Sequence, residues 1–235
     1  FLATVAVNAM ANALPINGKT TGELSDLYPN LFVPAGLTFS IWGLIYLLLA
    51  IFAVYQIAAP SRNAADFLLR IGPLFIIASA ANIGWIFLWH YQRVSASLVL
   101  MLILLASLLA VYLRLGIGTR TASWRDRLLV HLPFSVYLGW ITVAPIANVV
   151  AFLVNINWDG FGLGEVTWTV AIIAVAVVLT LLNIQTRGDV GYTLVIIWAL
   201  GGIVVKQMAI QPIVLTAGLG MAVLAAFLAF KRLRG

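Results

Sequence analysis

The stretch Leu132–Asn155, LPFSVYLGWITVAPIANVVAFLVN, decides how the rest of the chain is interpreted. It is long and apolar enough to cross a bilayer, which takes roughly 20 residues, yet it carries polar and aromatic residues at helical intervals. Trp140, Ala144 and Asn148 are four residues apart and therefore lie on one helix face. An amide inside hydrocarbon is costly unless it is hydrogen-bonded. This face is therefore predicted to look onto a neighbouring helix, water or a ligand.

The composition is that of a polytopic membrane protein. Of the 235 residues, 63% are hydrophobic and 9% are charged, with a mean hydropathy of +1.10, whereas a soluble domain carries roughly 25% charged residues. The absence of cysteine excludes disulfides, zinc–thiolate sites and thiol nucleophiles. The net charge is +6, but the basic residues flank apolar spans. The expected partner is therefore the lipid bilayer and not nucleic acid.

Apolar runs predict an all-α integral membrane protein with about eight transmembrane helices. The first is expected to begin before Phe1, and a short turn is predicted at 60–66. The predicted spans are 1–14, 36–58, 67–90, 94–116, 128–155, 166–186, 190–207 and 212–230. The polar loop 15–35, which includes Asp26 and Pro34, is long enough to cover a cavity.

The distribution of basic residues gives the predicted topology. If the loops alternate sides, ten Lys and Arg residues fall on one side and three on the other. The three are Lys19, Arg93 and Lys206. Because cytoplasmic loops are enriched in Lys and Arg, both termini are predicted to be cytoplasmic, and the loop 15–35 is predicted to face outward. The expected location is a bacterial inner membrane.

Polar and aromatic residues of three spans fall at similar predicted depths. Trp42 and Tyr46 lie on the second span, and Asn82 and Trp85 lie on the third. At about 1.5 Å of rise per residue, most of these residues and Asn148 lie in the outer half of the membrane. A cavity beneath the loop 15–35 is the resulting hypothesis.

The same residues carry a resemblance to a known family. The fifth span, with Trp140, Ala144, Asn148 and Asn155, resembles the last helix of the TspO/MBR family of tryptophan-rich sensory and translocator proteins. The run ANIGWIFLW, with Asn82 and Trp85, resembles that family's asparagine–tryptophan motif. The run VPAGLTFSIWGLIY, with Pro34, Trp42 and Tyr46, resembles its proline-rich entry.

The resemblance covers residues 1–155 and implies a five-helix bundle, to which residues 156–235 would add three helices. It implies binding of a tetrapyrrole of the porphyrin, haem or chlorophyll type beneath the loop 15–35, with no required cofactor. A homodimer is the implied assembly. The ligand-binding residues it implies are Trp42, Tyr46, Asn82, Trp85, Trp140, Ala144 and Asn148, with Pro34 and Asp26 in the lid loop.

Each of these residues also has a structural interpretation. Tryptophans fill helix interfaces, and Asn82 and Asn148 could hydrogen-bond to each other, as amides do between membrane helices. His90 and His131 are predicted to lie at opposite ends of their helices, so they cannot form a bis-histidine metal site. Each is expected to be solvated at the membrane surface, and no metal site is predicted.

Three functions remain open from the sequence. The first is a binding or sensory protein for a hydrophobic planar ligand. The second is an accessory or assembly subunit of a larger membrane complex, such as a pigment-bearing one. The third is a small-molecule transporter, although no span contains a carboxylate. An enzyme is not favoured because the sequence offers no usable Ser/His/Asp set. A photochemical activity toward porphyrins is associated with some members of the family.

Overall fold

The computed structural model describes residues 1–14, 16–58 and 62–234, with side chains throughout except at Asn12 and 62–68. The regular elements of these residues are all helical. They are α1 (Leu2–Ala13), α2 (Thr21–Asp26), α3 (Ile41–Ala58), α4 (Arg62–His90), α5 (Val94–Leu115), α6 (Trp124–Asp126), α7 (Leu132–Asn155), α8 (Glu165–Arg187), α9 (Val190–Lys206) and α10 (Gln211–Arg234). A 3₁₀ turn, Gly36–Ser40, precedes α3, and a π-helical turn, Arg127–His131, precedes α7.

Six of the described helical segments are long and apolar enough to cross a membrane. They correspond to α3, to α4 from Leu69 onward, and to α5, α7, α8 and α10. The apolar helix α9 has 17 residues, and α1 has 12, which corresponds to a length of about 18 Å for α1. The chain is therefore an integral membrane protein of at least this many apolar helices, and the predicted number of eight spans is not confirmed.

Helix α7 is the centre of the molecule. It packs against α3, α5 and α9, and 56% of its most apolar window is buried, against 22% for α10. The contact with α9 is close at Gly139, where a Cβ atom would lie 3.1 Å from the carbonyl oxygen of Tyr192. The stretch that organises the sequence is thus also the helix around which the others pack.

The remaining helices form two groups on either side of α7. Helices α1, α3, α4 and α5 belong to the first group, in which α4 packs against α1 and α5. Helices α8, α9 and α10 pack against one another and form the second group. Helix α9 joins the groups because it contacts both α7 and the 3₁₀ turn before α3.

Two predicted boundaries were wrong. Helix α4 begins at Arg62 and not at 67, so most of the turn predicted at 60–66 is helical; residues 59–61 lie outside the described part of the chain. The segment 15–35, which was predicted to be a polar loop, contains the helix α2, which begins with a capping box. In this box the Thr20 side chain accepts a hydrogen bond from the Glu23 N–H, and the Glu23 carboxylate accepts one from the Thr20 N–H. These hydrogen bonds lower the pKa of Glu23.

Candidate ligand-binding site

Four tryptophans from three helices form one aromatic cluster. The rings of Trp42 and Trp85 are stacked, with centroids 6.3 Å apart, and Trp85 and Trp89 are stacked at 6.2 Å. Trp140 meets Trp42 edge to face at 6.3 Å. All four side chains are buried. Offset stacking and edge-to-face contacts are the arrangements that aromatic pairs prefer, so the cluster is well packed.

The four tryptophans line a small cavity, which we call the aromatic cavity. Its volume is about 40 Å³. From α7 it is lined by Val143, Ala144, Ala147 and Asn148 in addition to Trp140. Sites for drug-sized ligands are typically about 300–1,000 Å³, so in this conformation the aromatic cavity is closed.

A lid covers the aromatic cavity. The lid consists of residues 16–35, and Thr21, Ser25 and Pro34 of the lid line the cavity. Trp89 donates its indole N–H to the carbonyl oxygen of Thr21 over 3.4 Å, and its ring lies 5.7 Å from that of Tyr28. The lid is therefore in direct contact with the tryptophan cluster.

Besides the Trp89–Thr21 hydrogen bond, three polar contacts attach the lid to the helix ends around it. Asn17 Nδ2 donates to the carbonyl oxygen of His90 over 3.0 Å. The N–H of Ala35 donates to the carbonyl oxygen of Gly202 over 3.0 Å. Asp26 forms an exposed ion pair of 2.9 Å with Lys206. An exposed ion pair contributes about 0–1 kcal/mol, so this contact can break at little cost.

Some polar atoms around the cavity have hydrogen-bond partners and others have none among the described residues. Trp85 donates its indole N–H to Asn148 Oδ1 over 2.9 Å, and Asn148 Nδ2 donates to Ser97 Oγ over 3.2 Å. In contrast, the indole nitrogen of Trp140 and the hydroxyl of Thr21 are buried without a hydrogen-bond partner among the described residues. Both residues line the cavity, so it contains polar groups that a ligand could satisfy.

The structure brings most of the predicted site residues together. Those that line the aromatic cavity are Pro34, Trp42, Trp85, Trp140, Ala144 and Asn148. Tyr46 is not among the lining residues, because its ring is stacked on Trp42 at 5.6 Å. Asp26 lies on the lid and binds Lys206 instead of lining the cavity.

Asn82 belongs to a separate polar cluster. Its Oδ1 accepts from Asn8 of α1 over 2.7 Å, and its Nδ2 donates to the Tyr137 hydroxyl over 3.2 Å. The predicted hydrogen bond between Asn82 and Asn148 is therefore wrong, since each amide has found partners of its own. These partners, Asn8, Ser97, Trp85 and Tyr137, come from four helices, so their pairing could not be read from one segment.

The sequence interpretation missed Trp89 and Phe39. Trp89 lies four residues after Trp85, and this spacing alone would have placed it on the same face of α4. Phe39 lies in the 3₁₀ turn before α3, and its ring meets Trp140 edge to face at 5.7 Å. The α-helical spacing of three to four residues does not apply in a 3₁₀ turn, so the sequence pattern did not place Phe39 beside Trp140.

The two histidines are buried, which corrects the expectation that both are solvated. His90 is fully buried, and its Nδ1 lies 2.8 Å from the carbonyl oxygen of Ile86. His131 is 8% exposed in the π-helical turn. The two positions belong to opposite ends of the helices, as expected. Among the described residues, no group of three His, Asp or Glu side chains is placed to hold a metal ion.

A family model described as TSPO-like protein matches residues 1–230. The match therefore includes α8, α9 and most of α10 as well as the first group of helices. No curated protein and no solved structure matches the chain.

Proposed function

Because the chain belongs to the TSPO-like protein family, we propose that it is a membrane-embedded binding protein for a flat hydrophobic ligand of the tetrapyrrole class. The observation that carries this proposal is the convergence of Trp42, Trp85, Trp89 and Trp140 on one cavity beneath the lid. Aromatic faces suit planar ligands, and pockets for small molecules combine an apolar lining with a few polar groups. A sensory or delivery role follows if binding changes the position of the lid.

The polar groups of the cavity fit the edge of such a ligand. The Trp140 indole N–H is a donor, and the Thr21 hydroxyl is a donor and an acceptor; neither has a partner among the described residues. The propionate carboxylates at the edge of a porphyrin or haem, or the peripheral carbonyl oxygens of a chlorophyll, offer matching acceptors. The pairing would remove the cost of two buried, unsatisfied polar groups.

The proposal requires the lid to move. A cavity of about 40 Å³ holds about one water molecule and no macrocycle. The lid is held by the polar contacts of Asn17, Ala35 and Asp26 with the surrounding helix ends and by buried apolar side chains, among them Leu24 and Phe32, so ligand binding must offset the loss of these contacts. Displacement of the lid would remove one wall of the cavity and leave the tryptophans on rigid helices. The ligand thus enters between the lid and the helices α3, α4 and α7.

The test is a titration of protoporphyrin IX into the detergent-purified full chain. Binding is followed through the Soret absorbance of the porphyrin, so that replacing a tryptophan does not remove the signal. We expect saturable binding, and we expect Trp140→Phe to weaken it about three- to tenfold because it loses the indole N–H and part of the aromatic contact.

The matched control is Trp158→Phe. Trp158 packs against Phe161 and Trp168 in the connection between α7 and α8 and does not line the cavity. Its replacement should leave the affinity unchanged. Absence of saturable binding by the unaltered protein, or equal losses in the two variants, would refute the proposed site. In that event the accessory-subunit function becomes the better hypothesis, and partners should be sought by affinity purification from native membranes.

A further inference from the structure

A second cavity lies at the other end of α7 and α9 from the aromatic cavity. Its volume is about 450 Å³, which is within the range of small-molecule sites. Its walls come from the connection after α5, the π-helical turn before α7, the turn between α8 and α9, and the end of α10. Five of the 13 Lys and Arg residues of the chain line it. We call it the cationic cavity, and these five residues are Arg120, Arg127, Arg187, Lys231 and Arg232.

Close packing holds the walls of the cationic cavity. A Cβ atom on Gly118, whose φ is +76°, would lie 2.2 Å from the carbonyl oxygen of Arg187. The Arg187 guanidinium donates to the carbonyl oxygen of Ile117 over 2.8 Å. At the end of α10, Lys231 donates to carbonyl oxygens of the last turns of α8, and Arg232 donates to that of Gly188 over 3.2 Å. Three of the four wall segments are thus fixed around one hollow.

These contacts leave most of the cationic donors available. A guanidinium has five N–H donors and an ammonium has three, and Arg187 and Arg232 each use one in the contacts above. For Arg120 and Arg127, the described part of the chain shows no hydrogen bond from the guanidinium. The cavity therefore combines fixed walls with two unused guanidinium groups.

The single carboxylate of the lining does not neutralise these charges. Asp189 is 7% exposed and caps the N-terminus of α9. Its oxygens accept from the Tyr112 hydroxyl over 2.7 Å and from the Tyr192 N–H over 3.2 Å. Among the described residues, none of the five cations of the cavity forms an ion pair with a carboxylate.

This arrangement goes beyond the usual enrichment of basic residues at one side of a membrane. That enrichment requires Lys and Arg near the helix ends, but it does not require them to face one hollow. A cavity of this volume is about 10 Å across, which is close to the Debye length of about 8–10 Å at moderate salt. The cations therefore repel one another, and a bound anion would offset that repulsion.

A phosphate monoester suits this lining, because it carries nearly two negative charges opposite five cationic side chains. Arginine guanidinium groups bind phosphate oxygens in a bidentate manner. Val190 and Gly191 also line the cavity, but the Asp189 carboxylate already caps the N-terminus of α9, so the phosphate contacts are assigned to the arginine side chains. Ile117 and Leu132 add apolar surface. The volume exceeds that of inorganic phosphate, so an organic phosphate ester fits better.

We propose that the cationic cavity binds a phosphate monoester, carried either by a membrane lipid or by a soluble metabolite. Binding would involve the guanidinium groups of Arg120 and Arg127, with Arg187, Lys231 and Arg232 holding the walls and adding positive charge. This site is independent of the aromatic cavity, so the porphyrin titration and the phosphate experiment can fail separately.

The experiment measures the thermal unfolding midpoint of the full chain in detergent as each probe is titrated, since a ligand that binds only the folded state raises the midpoint. The probes are dioleoylphosphatidic acid in mixed micelles and glycerol 3-phosphate, which carry the same phosphate monoester with and without acyl chains. Dioleoylphosphatidylcholine serves as the zwitterionic control. Saturation by both monoesters with similar apparent affinity indicates a soluble ligand, and saturation by the lipid alone indicates a lipid headgroup.

The test variant is Arg120→Gln with Arg127→Gln, which removes two cavity charges and no hydrogen bond seen in the fold. We expect its apparent affinity for the monoester to fall at least about tenfold. The matched control is Arg125→Gln with Arg234→Gln, which removes two charges at the same end of the molecule but outside the cavity. The control should change the affinity by less than about twofold.

Two outcomes would overturn the proposal. One is that neither monoester raises the midpoint of the unaltered protein more than phosphatidylcholine does. The other is that the two variants lose equal affinity, which would indicate a diffuse surface charge. If the cavity variant does not fold, the salt dependence of the unaltered protein still tests the proposal. The affinity of the cationic cavity for the monoester must weaken as the sodium chloride concentration increases. An affinity that does not depend on salt contradicts the proposal.

Discussion

The side chain of Asn148 stabilises the contact between three helices. It accepts from Trp85 of α4, and it shares hydrogen bonds with Ser97 of α5. Because these atoms are buried, loss of the amide would leave the Trp85 indole N–H without its acceptor. An unsatisfied buried donor costs about 1–3 kcal/mol, although membrane helix hydrogen bonds average about 0.6 kcal/mol.

We therefore predict that Asn148→Ala lowers the free energy of unfolding by about 1–2 kcal/mol. The measurement is the thermal unfolding midpoint of the purified protein in one detergent. Asn155→Ala is the matched control, because Asn155 is exposed at the end of the same helix. Equal shifts in the two variants would show that the Asn148 amide contributes nothing beyond helix propensity.

Residue periodicity predicted the aromatic cavity well where helices are regular. Trp140, Ala144 and Asn148 were placed on one face by their spacing alone, and all three line the cavity. Periodicity does not indicate which of two stacked rings lies in front, so it did not place Tyr46 behind Trp42. Nor does it identify partners on other helices, such as Asn8 for Asn82.

At the scale of elements, α9 packs closely against the 3₁₀ turn before α3 because Gly202 has no side chain. A Cβ atom on Gly202 would lie 2.0 Å from Thr38 Oγ1 and 2.8 Å from Pro34 Cβ. Trp198 donates its indole N–H to the Thr38 carbonyl oxygen over 3.0 Å in the same contact. The second group of helices is therefore joined to the entry of α3 at a point where only glycine fits.

We predict that Gly202→Ala destabilises the protein by about 1–3 kcal/mol, the usual cost of overpacking a closely packed interior. The neighbouring residue gives a matched control, since a Cβ atom on Gly201 would meet only Met221 Cε, at 3.7 Å. Gly201→Ala should be neutral or stabilising because alanine favours the helix by up to about 1 kcal/mol. Thermal unfolding of both variants checks the prediction, and a neutral Gly202→Ala would mean that α9 is free to shift.

The elements themselves were partly predictable. Hydropathy located the long helices within a few residues, because about 20 apolar residues in succession are a strong signal. It missed α2, whose six residues contain no apolar run and whose start depends on the Thr20–Glu23 capping box. The cationic cavity was not predictable either, because it is formed by residues from four segments that are distant in sequence.

At the scale of the whole molecule, polar contacts group the loops into two clusters, one at each end of the helices. Asn17 binds His90, and Asp26 binds Lys206, so the lid lies at the same end as the connection after α4 and the end of α9. At the other end, Arg187 binds Ile117, and Lys231 binds the end of α8. These two ends agree with the alternation of loops from which the charge bias was counted.

The charge bias then predicts which end faces the cytoplasm. The chain has no native cysteine, so single cysteines can be introduced without background labelling. We predict that Lys19→Cys in the lid and Met208→Cys between α9 and α10 react with a membrane-impermeant maleimide added to intact bacterial cells. Thr121→Cys, in the connection after α5, should react only after the membrane is permeabilised.

Each of the three positions is exposed, so accessibility depends on the side of the membrane and not on burial. The comparison between Met208 and Thr121 also tests the 17-residue helix α9, because Gly118, in the same connection as Thr121, packs against Arg187, two residues before the N-cap of α9. If α9 crosses the membrane, its two ends must label from opposite sides, and Met208 must behave like Lys19. Labelling of Met208 only after permeabilisation would mean that α9 does not span the bilayer. Labelling of Thr121 in intact cells would place the cationic cavity on the outer side, where the abundance of Lys and Arg would contradict the positive-inside rule.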